Sequence, residues 1–406
     1  MVPAWSQGTL SLDQAILIAT DRSRQLVATE ASAVASRHMA EAALQLPDPV
    51  LKFGVDNFPV TGPDRFSLSR DFMTMRRIGL MQELPTEQKR QLRAQKFSWD
   101  ALRAQAERQQ ALALVQRQTA LAWLDTYYAA ATRELVQQQF QETGLQVQAA
   151  DAAYRAARGT QAEVFAARSA VAMLQDRLVQ TDRQARNATL MLARWVGPDA
   201  SRKLQGVPPW RDTYLDKSLT LDHLRTHPDV AVLQAQVLAA EGEARLAEAN
   251  KRPDWTVEAS YSQRGSAFSN MVSIGVSVPL QLDQARRQDQ EVAARQALVN
   301  EAQARYDDML QSHEAEVRVM LNDWRTGKDR VARYADELIP LAAQRTQAVQ
   351  LAYRTGKSDL ASALAARRDE LDMRLQALAV EMETARAWAQ LNYLSAVHGG
   401  GAGHQE

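Results

Sequence analysis

Cysteine is absent from the 406 residues, which removes disulfides, thiolate metal ligands, cysteine nucleophiles and a cysteine-borne lipid anchor from the chain as it stands. An excess of one charge is lacking too. The 48 basic and 48 acidic residues balance, so no global field draws the chain to nucleic acid. No run of about eighteen apolar residues occurs, and a transmembrane helix is therefore not available. The start, Met1-Val2-Pro3-Ala4-Trp5-Ser6, has no basic patch followed by an apolar core and so no visible signal peptide. A mature, trimmed chain is the expectation that fits the strands described below. Glycine-rich phosphate loops and nucleophile elbows are missing, and no catalytic residue, cofactor or metal site is expected. The six histidines (His38, His223, His227, His313, His398, His404) are scattered. His223 and His227 stand four apart, but Pro228 follows and no Glu completes a zinc-protease pattern, so a surface pair is expected. Met73, Met75 and Met81 could offer soft copper or silver contacts; apolar filling is the preferred reading.

Proline and glycine are scarce in two long stretches, and that scarcity divides the chain. Between Pro85 and Gly159 there is no proline and only Gly144; between Pro279 and Pro340 there is no proline and only Gly327. Both stretches are rich in Ala, Leu, Gln, Arg and Glu, strong helix formers. Leu114, Leu121, Tyr128 and Leu135 repeat at seven, with Leu124 and Ala131 in the alternate seam; Leu310, Val317, Trp324, Val331 and Leu338 repeat likewise. This is coiled-coil patterning. A helix from Thr86 to Arg158 rises roughly 110 Å at 1.5 Å per residue, whereas a globule of this size is about 45–50 Å across. A rod is expected.

Short alternating segments lie between the helices. Trp255-Thr256-Val257-Glu258-Ala259-Ser260-Tyr261 and Val272-Ser273-Ile274-Gly275-Val276-Ser277-Val278 are strictly alternating; Leu51, Phe53 and Val55, then Ile78 and Leu80, form a weaker pair. Period two with one apolar and one small polar face suits a membrane barrel strand; an ordinary solvent-facing hairpin has the same alternation.

The two halves match element by element. Leu12-Asp13 recurs as Leu221-Asp222, Pro47-Asp48 as Pro253-Asp254, Ile78-Gly79 as Ile274-Gly275, and Ala153-Tyr154-Arg155 with Gly159 as Ala352-Tyr353-Arg354 with Gly356. The spacing drifts, so the first hairpin carries extra residues around Gly62 to Met75, a longer loop. The expected organisation is an N-terminal segment, 1–11, then a first repeat over 12–195. That repeat holds a helix, strands about 49–58 and 76–85, a long helix 86–158 and a return helix 160–195. An inter-repeat equatorial segment, 196–220, leads to a second repeat over 221–395. Its strands are about 254–263 and 271–280, its long helix 283–355 and its return helix 358–395; 396–406 is a flexible tail. Each return helix with the opening helix matches the long helix in length, which gives a strut of even height.

Four strands cannot close a barrel, and open sheet edges are not tolerated in hydrocarbon. Several chains must then pool their strands. The fold class expected is mainly α with a small β part: an internally duplicated long α-helical coiled-coil barrel, plus four strands per chain contributing to a trimeric 12-stranded transmembrane β-barrel. Ser260, Ser262, Ser273 and Ser277 would face water inside it, and Trp255, Val257, Ile274 and Val276 would face lipid.

The layout resembles the TolC-type outer-membrane factors over approximately residues 10 to 395. Gly79-Leu80-Met81-Gln82-Glu83-Leu84-Pro85 with Lys89-Arg90 and Arg93, and Leu46-Pro47-Asp48-Pro49, look like the strand passages of the subgroup serving heavy-metal pumps. The resemblance implies a non-enzymatic exit duct in the outer membrane with a long periplasmic extension. It implies a homotrimer set in outer-membrane lipid, joined to a periplasmic adaptor (membrane fusion protein) and an inner-membrane resistance-nodulation-division pump, with no nucleic acid involved. Heavy-metal cations are the cargo the subgroup implies; a multidrug duct and a non-channel coiled-coil scaffold are the alternatives. An adaptor itself would carry one hairpin between lipoyl-like halves, not two in tandem. Tyr154, Arg155, Gly159, Tyr353, Arg354 and Gly356 look like the periplasmic tips that meet the adaptor and gate the channel, with glycine supplying the tight reversal. Turn formation and packing alone would explain the same residues. The positions six and nine after Gly356, acidic in some members, are Ser362 and Ala365 here. Asp359 is the nearest acid and takes their place as the candidate.

Overall fold

The computed structural model describes residues 8–213 and 227–395. Helices dominate, about 70% of the chain, beside one small sheet. In chain order they are α1 (Leu12–Arg22), α2 (Arg24–Ala43), β1 (Val50–Asp56), β2 (Met75–Leu84), α3 (Glu87–Arg155) and α4 (Gln161–Val196). A 3₁₀ turn (Gly197–Ser201) follows, then α5 (Pro228–Asn250), β3 (Trp255–Gln263), β4 (Met271–Ser277) and α6 (Gln288–Arg333). A π-helical turn (Tyr334–Leu338), α7 (Ile339–Arg354) and α8 (Leu360–Asn392) are the last elements among the described residues. Among the described residues no helix is long and apolar enough to cross a membrane. The Leu221-Asp222 helix start, His223 and the tail with His398 and His404 lie outside the described residues.

Two expected helices are interrupted, each for a local reason. The opening helix breaks at Ser23, which is extended (φ −69°, ψ 109°); its hydroxyl accepts from the Leu26 N–H at 3.4 Å and restarts the helix as α2. The second long helix begins at Gln288 rather than 283 and contains the π turn. Pro340 sits just after that turn. Proline has no N–H and its ring clashes with the carbonyl four residues back. The wider turn absorbs this: the Ile339 N–H donates to the Tyr334 carbonyl, five residues back. α3 has no such proline and runs 69 residues unbroken.

The chain forms two compact units, neither coinciding with a sequence repeat. One takes 1–27, 108–228 and 310–406; the other takes 28–107 and 229–309. The first is helical, with a core of Leu10, Trp123, Leu124, Tyr128, Leu192, Val317, Trp324, Trp388 and Leu391. Tyr128, Val317 and Trp324 of the heptad stripes are fully buried there, while Leu114, Leu121, Leu135 and Val331 are half-buried. Buried indoles need an acceptor. Trp123 donates to the Leu10 carbonyl (3.2 Å) and Trp324 to the Trp210 carbonyl (2.7 Å), so the long helix of each repeat is tied to a non-helical segment that precedes it in the chain. Trp210 and Tyr128 both donate to Glu381 at 3.2 Å, and burial next to that carboxylate raises the Tyr128 pKa. His227 is buried rather than on the surface, its ring 3.9 Å from that of buried His313.

The second unit holds the sheet, antiparallel throughout in the order β1-β2-β3-β4. The strand-passage residues fasten it to the helices. Lys89, 3% exposed, pairs with Asp254 at 2.8 Å and donates to the Arg252 carbonyl. Gln82 donates to the Pro47 carbonyl (2.7 Å) and Arg90 to the Leu44 carbonyl (2.8 Å). Pro-Asp and its partner string are thus the two sides of one joint. In the same unit α3 and α5 touch closely at Gly242, where a Cβ would fall 1.5 Å from the Trp99 ring.

Candidate functional site

The register sorts the sheet into two unlike faces. Lys52, Gly79, Ser260 and Ser273 lie in one row across the four strands; Gly54, Arg77, Ser262 and Met271 form the next. Between them, pointing the other way, runs the row Phe53, Ile78, Tyr261 and Val272, and beyond Lys52 the row Leu51, Leu80, Ala259 and Ile274. The apolar face is uncovered in the single chain: Phe53 is 83%, Ile274 78% and Val272 72% exposed. Ser260, Ser262, Ser273 and Ser277 share the opposite, polar face, as the alternation implied. That face also holds two ion pairs, Lys52–Glu258 at 2.8 Å and Arg77–Asp56 at 3.2 Å. Met75, Met81 and Met271 lie on it too. Met81 is half-buried between Val50 and Glu258, and Met75, also half-buried, stands opposite Asp56. Among the described residues no group of three His, Cys, Asp or Glu could hold a metal.

The two helical turns, 156–160 and 355–359, are built on one plan. In each the helix ends in a double hydrogen bond. The Arg158 N–H donates to the Ala153 carbonyl (2.9 Å) and the Ala157 N–H to the Tyr154 carbonyl (2.9 Å). Lys357 to Ala352 (2.8 Å) and Gly356 to Tyr353 (3.0 Å) repeat this. This is the Schellman ending, which places a left-handed residue after the cap. Those residues are Ala157 (φ 56°) and Gly356 (φ 72°). The counterpart of Gly356 is thus Ala157 and not Gly159, a correction of the sequence pairing. Gly159 serves close approach instead, since a Cβ there would lie 3.2 Å from that of Ala153.

The next helices start from equivalent caps. The Thr160 hydroxyl accepts from the Glu163 N–H (3.3 Å) while the Thr160 N–H donates to the Glu163 carboxylate (2.7 Å), a capping box. Asp359 accepts from the Ser362 N–H at 2.7 Å, and the hydrogen bonds from Ser362 hold its carboxyl below the ordinary carboxylate pKa. The sequence signal for both caps was present, in Thr-x-x-Glu and Asp-x-x-Ser, but the reading of Asp359 as an acidic lining residue passed over it.

The tyrosines are not equivalent. Tyr154 is 46% exposed. Tyr353 packs against Ala150, Val164, Ala167 and Leu360, so the two turns share one small core. Burial there, with the Glu163 charge, raises its pKa. Arg155 is spread over the surface and pairs with Asp151 at 2.7 Å; Arg354 is exposed. Behind the turns, α8 is tied to α3 by Arg367 with Glu142 and to α4 by Arg177–Asp372 at 2.6 Å. A cavity of about 340 Å³ between these helices is lined by Ala166, Ala170, Met173, Leu174, Leu364 and Leu371.

Comparison with known proteins agrees with this geometry. Residues 221–396 match the family described as Outer membrane efflux protein. No curated protein sequence matches the chain. Among solved structures, the Campylobacter jejuni CmeC outer membrane channel is similar at TM-score 0.80 and 13% identity, covering 94% of this chain and 85% of that one. CusC, whose structures concern transmembrane channel formation, is similar at TM-score 0.78 and 14% identity, covering 94% and 91%. The open Neisseria gonorrhoeae MtrE outer membrane channel is similar at TM-score 0.77 and 15% identity, covering 94% and 88%. At these identities the likeness is one of fold.

Proposed function

We infer that the chain is one protomer of a trimeric outer-membrane efflux duct, a passive conduit and not an enzyme. One observation carries this: a four-stranded sheet with β1 and β4 as open edges and one largely uncovered apolar face. Such a sheet is a liability in water. In a bilayer, with three copies pooling twelve strands, both edges close and the apolar face meets lipid. The polar face then lines a water-filled passage. The matched family and the fold of CusC, CmeC and MtrE support the same reading, with the helical remainder in the periplasm. Partners on this reading are a periplasmic adaptor and an inner-membrane resistance-nodulation-division pump, and the cargo is heavy-metal cations. The strand-passage strings favour that cargo over drugs.

The two turns are the tips that meet the adaptor and gate the passage, with Tyr154, Arg155, Gly159, Tyr353, Arg354, Gly356 and Asp359 as the residues concerned. Exposed Tyr154, Arg155 and Arg354 are the contacting groups, while Tyr353, Gly356 and Asp359 hold the turns in shape.

The purified protein is expected to be a detergent-dependent trimer that conducts in planar bilayers. A stable monomer without detergent would return the chain to the scaffold class. Tyr353→Phe with Arg354→Ser should raise conductance; an unchanged value removes the gating role. Metal sensitivity of a deletion strain, set beside its drug sensitivity, decides the cargo.

A further inference from the structure

Every charged side chain of the sheet except Arg76 lies on the polar face: Lys52, Asp56, Arg77, Glu83 and Glu258. Asp56 is held by Arg77 on the neighbouring strand. Lys52 and Glu258 are not neighbours. β2 lies between their strands, with Gly79 opposite Lys52 and Met81 opposite Glu258. Lys52 reaches diagonally across β2 to meet Glu258 at 2.8 Å, and Gly79, in its path, has no side chain. The spot is also too tight for one, since a Cβ would stand 2.9 Å from that of Ser260. The rest of the face is mainly small: Gly54, Gly275, Thr256, Ser260, Ser262, Ser273 and Ser277. Glu83, at the helix end of β2, has no cation within 4 Å among the described residues.

Half-exposed ion pairs contribute little to stability, so holding the strands together is a weak reason for this arrangement. Charge on a passage wall, however, sets the local concentration of passing ions. We propose that the Lys52–Glu258 pair determines the charge selectivity of the barrel, Lys52 masking a carboxylate that would otherwise make the lining strongly cation-attracting. This rests on the duct reading. With both pairs intact the face carries one net negative charge per chain, from Glu83. Loss of Lys52 doubles it, and loss of the Glu258 charge cancels it.

The test is the reversal potential of the purified trimer in planar bilayers under a 10:100 mM KCl gradient, where the screening length is about 30 Å on the dilute side and about 10 Å on the other. Lys52→Gln should raise the potassium-over-chloride permeability ratio by about twofold or more. Glu258→Gln should lower it by a similar factor, and the double variant should return to the wild-type value. That cancellation separates charge masking from a structural role, because two variants that merely disturbed the sheet would shift the ratio together. Wild-type conductance with an unresponsive ratio, or both single variants moving it the same way, overturns the proposal alone. Failure of the wild-type protein to conduct overturns the duct reading and the pair's role with it.

Discussion

Replacing Gly356 by alanine puts a Cβ where nothing lies within 4 Å, so the substitution changes backbone strain and little else. At φ 72° an L-residue in the left-handed region costs about 1–2 kcal/mol. Alanine recovers about 0.4–1 kcal/mol of this by restricting the unfolded chain. The net loss is about 0.5–1 kcal/mol, a factor of about 2–5 in the equilibrium for opening the turn. The reciprocal change is available in the same molecule. Ala157 has φ 56°, is exposed, and occupies the same place in the other turn; Ala157→Gly should tighten that turn by the same factor. Residue-resolved hydrogen exchange reads both, through the Lys357 and Arg158 amides that close the two Schellman bonds. Faster exchange at Lys357 in Gly356→Ala and slower exchange at Arg158 in Ala157→Gly are expected. If Ala157→Gly weakens protection, the turns are not governed by the left-handed residue, and the equivalence of 157 with 356 is wrong.

Three further outcomes follow from the packing. Lys89→Met removes the buried partner of Asp254 and leaves it only Arg93, at 3.7 Å, which should destabilise the sheet unit by about 1–3 kcal/mol; a thermal melt of the purified protein checks it, an unchanged midpoint counting against the joint. Gly242→Ala forces a methyl into the Trp99 ring and should cost about 1–3 kcal/mol, while Trp99→Ala in the same chain should relieve most of that, measured as a double-mutant cycle. The Asp359 cap depends on pH with a definite sign. Its folded pKa lies below the ordinary value of 3.8, so the cap's stabilisation is present above that value and is lost as pH falls through the folded pKa. Exchange at the Ser362 amide should therefore accelerate at acid pH relative to Asp359→Asn, which keeps a neutral acceptor; parallel profiles would show the carboxylate charge to be irrelevant there.

Periodicity was enough to separate helix from strand, because side chains repeat every 3.6 residues in one and every two in the other. The sorting of Ser260 and Ser273 from Val257 and Ile274 needed nothing more. Duplication was legible as well, from strings such as Ala-Tyr-Arg at 153–155 and 352–354. The positions of helix ends were less so. Pro340 lies inside the helix expected over 283–355, and whether a proline there kinks, breaks or widens a helix into a π turn depends on what packs around it. Ser23 resembles many serines that sit inside helices. The pairing of Gly159 with Gly356 failed because glycine was matched to glycine, whereas hydrogen bonding selects the residue at a fixed step after the cap, alanine included.

Which elements form, which face of each strand is apolar, and that the chain is written twice were therefore decided by local order along the sequence. Which residues meet was decided only by the tertiary structure. Lys52 finds Glu258, Lys89 finds Asp254, and Tyr353, unlike Tyr154, is drawn into a core. The reason is physical: alternation assigns a side chain to a face, but partnership across β2 depends on strand register and on the space left by Gly79, and neither is encoded by neighbours in the chain.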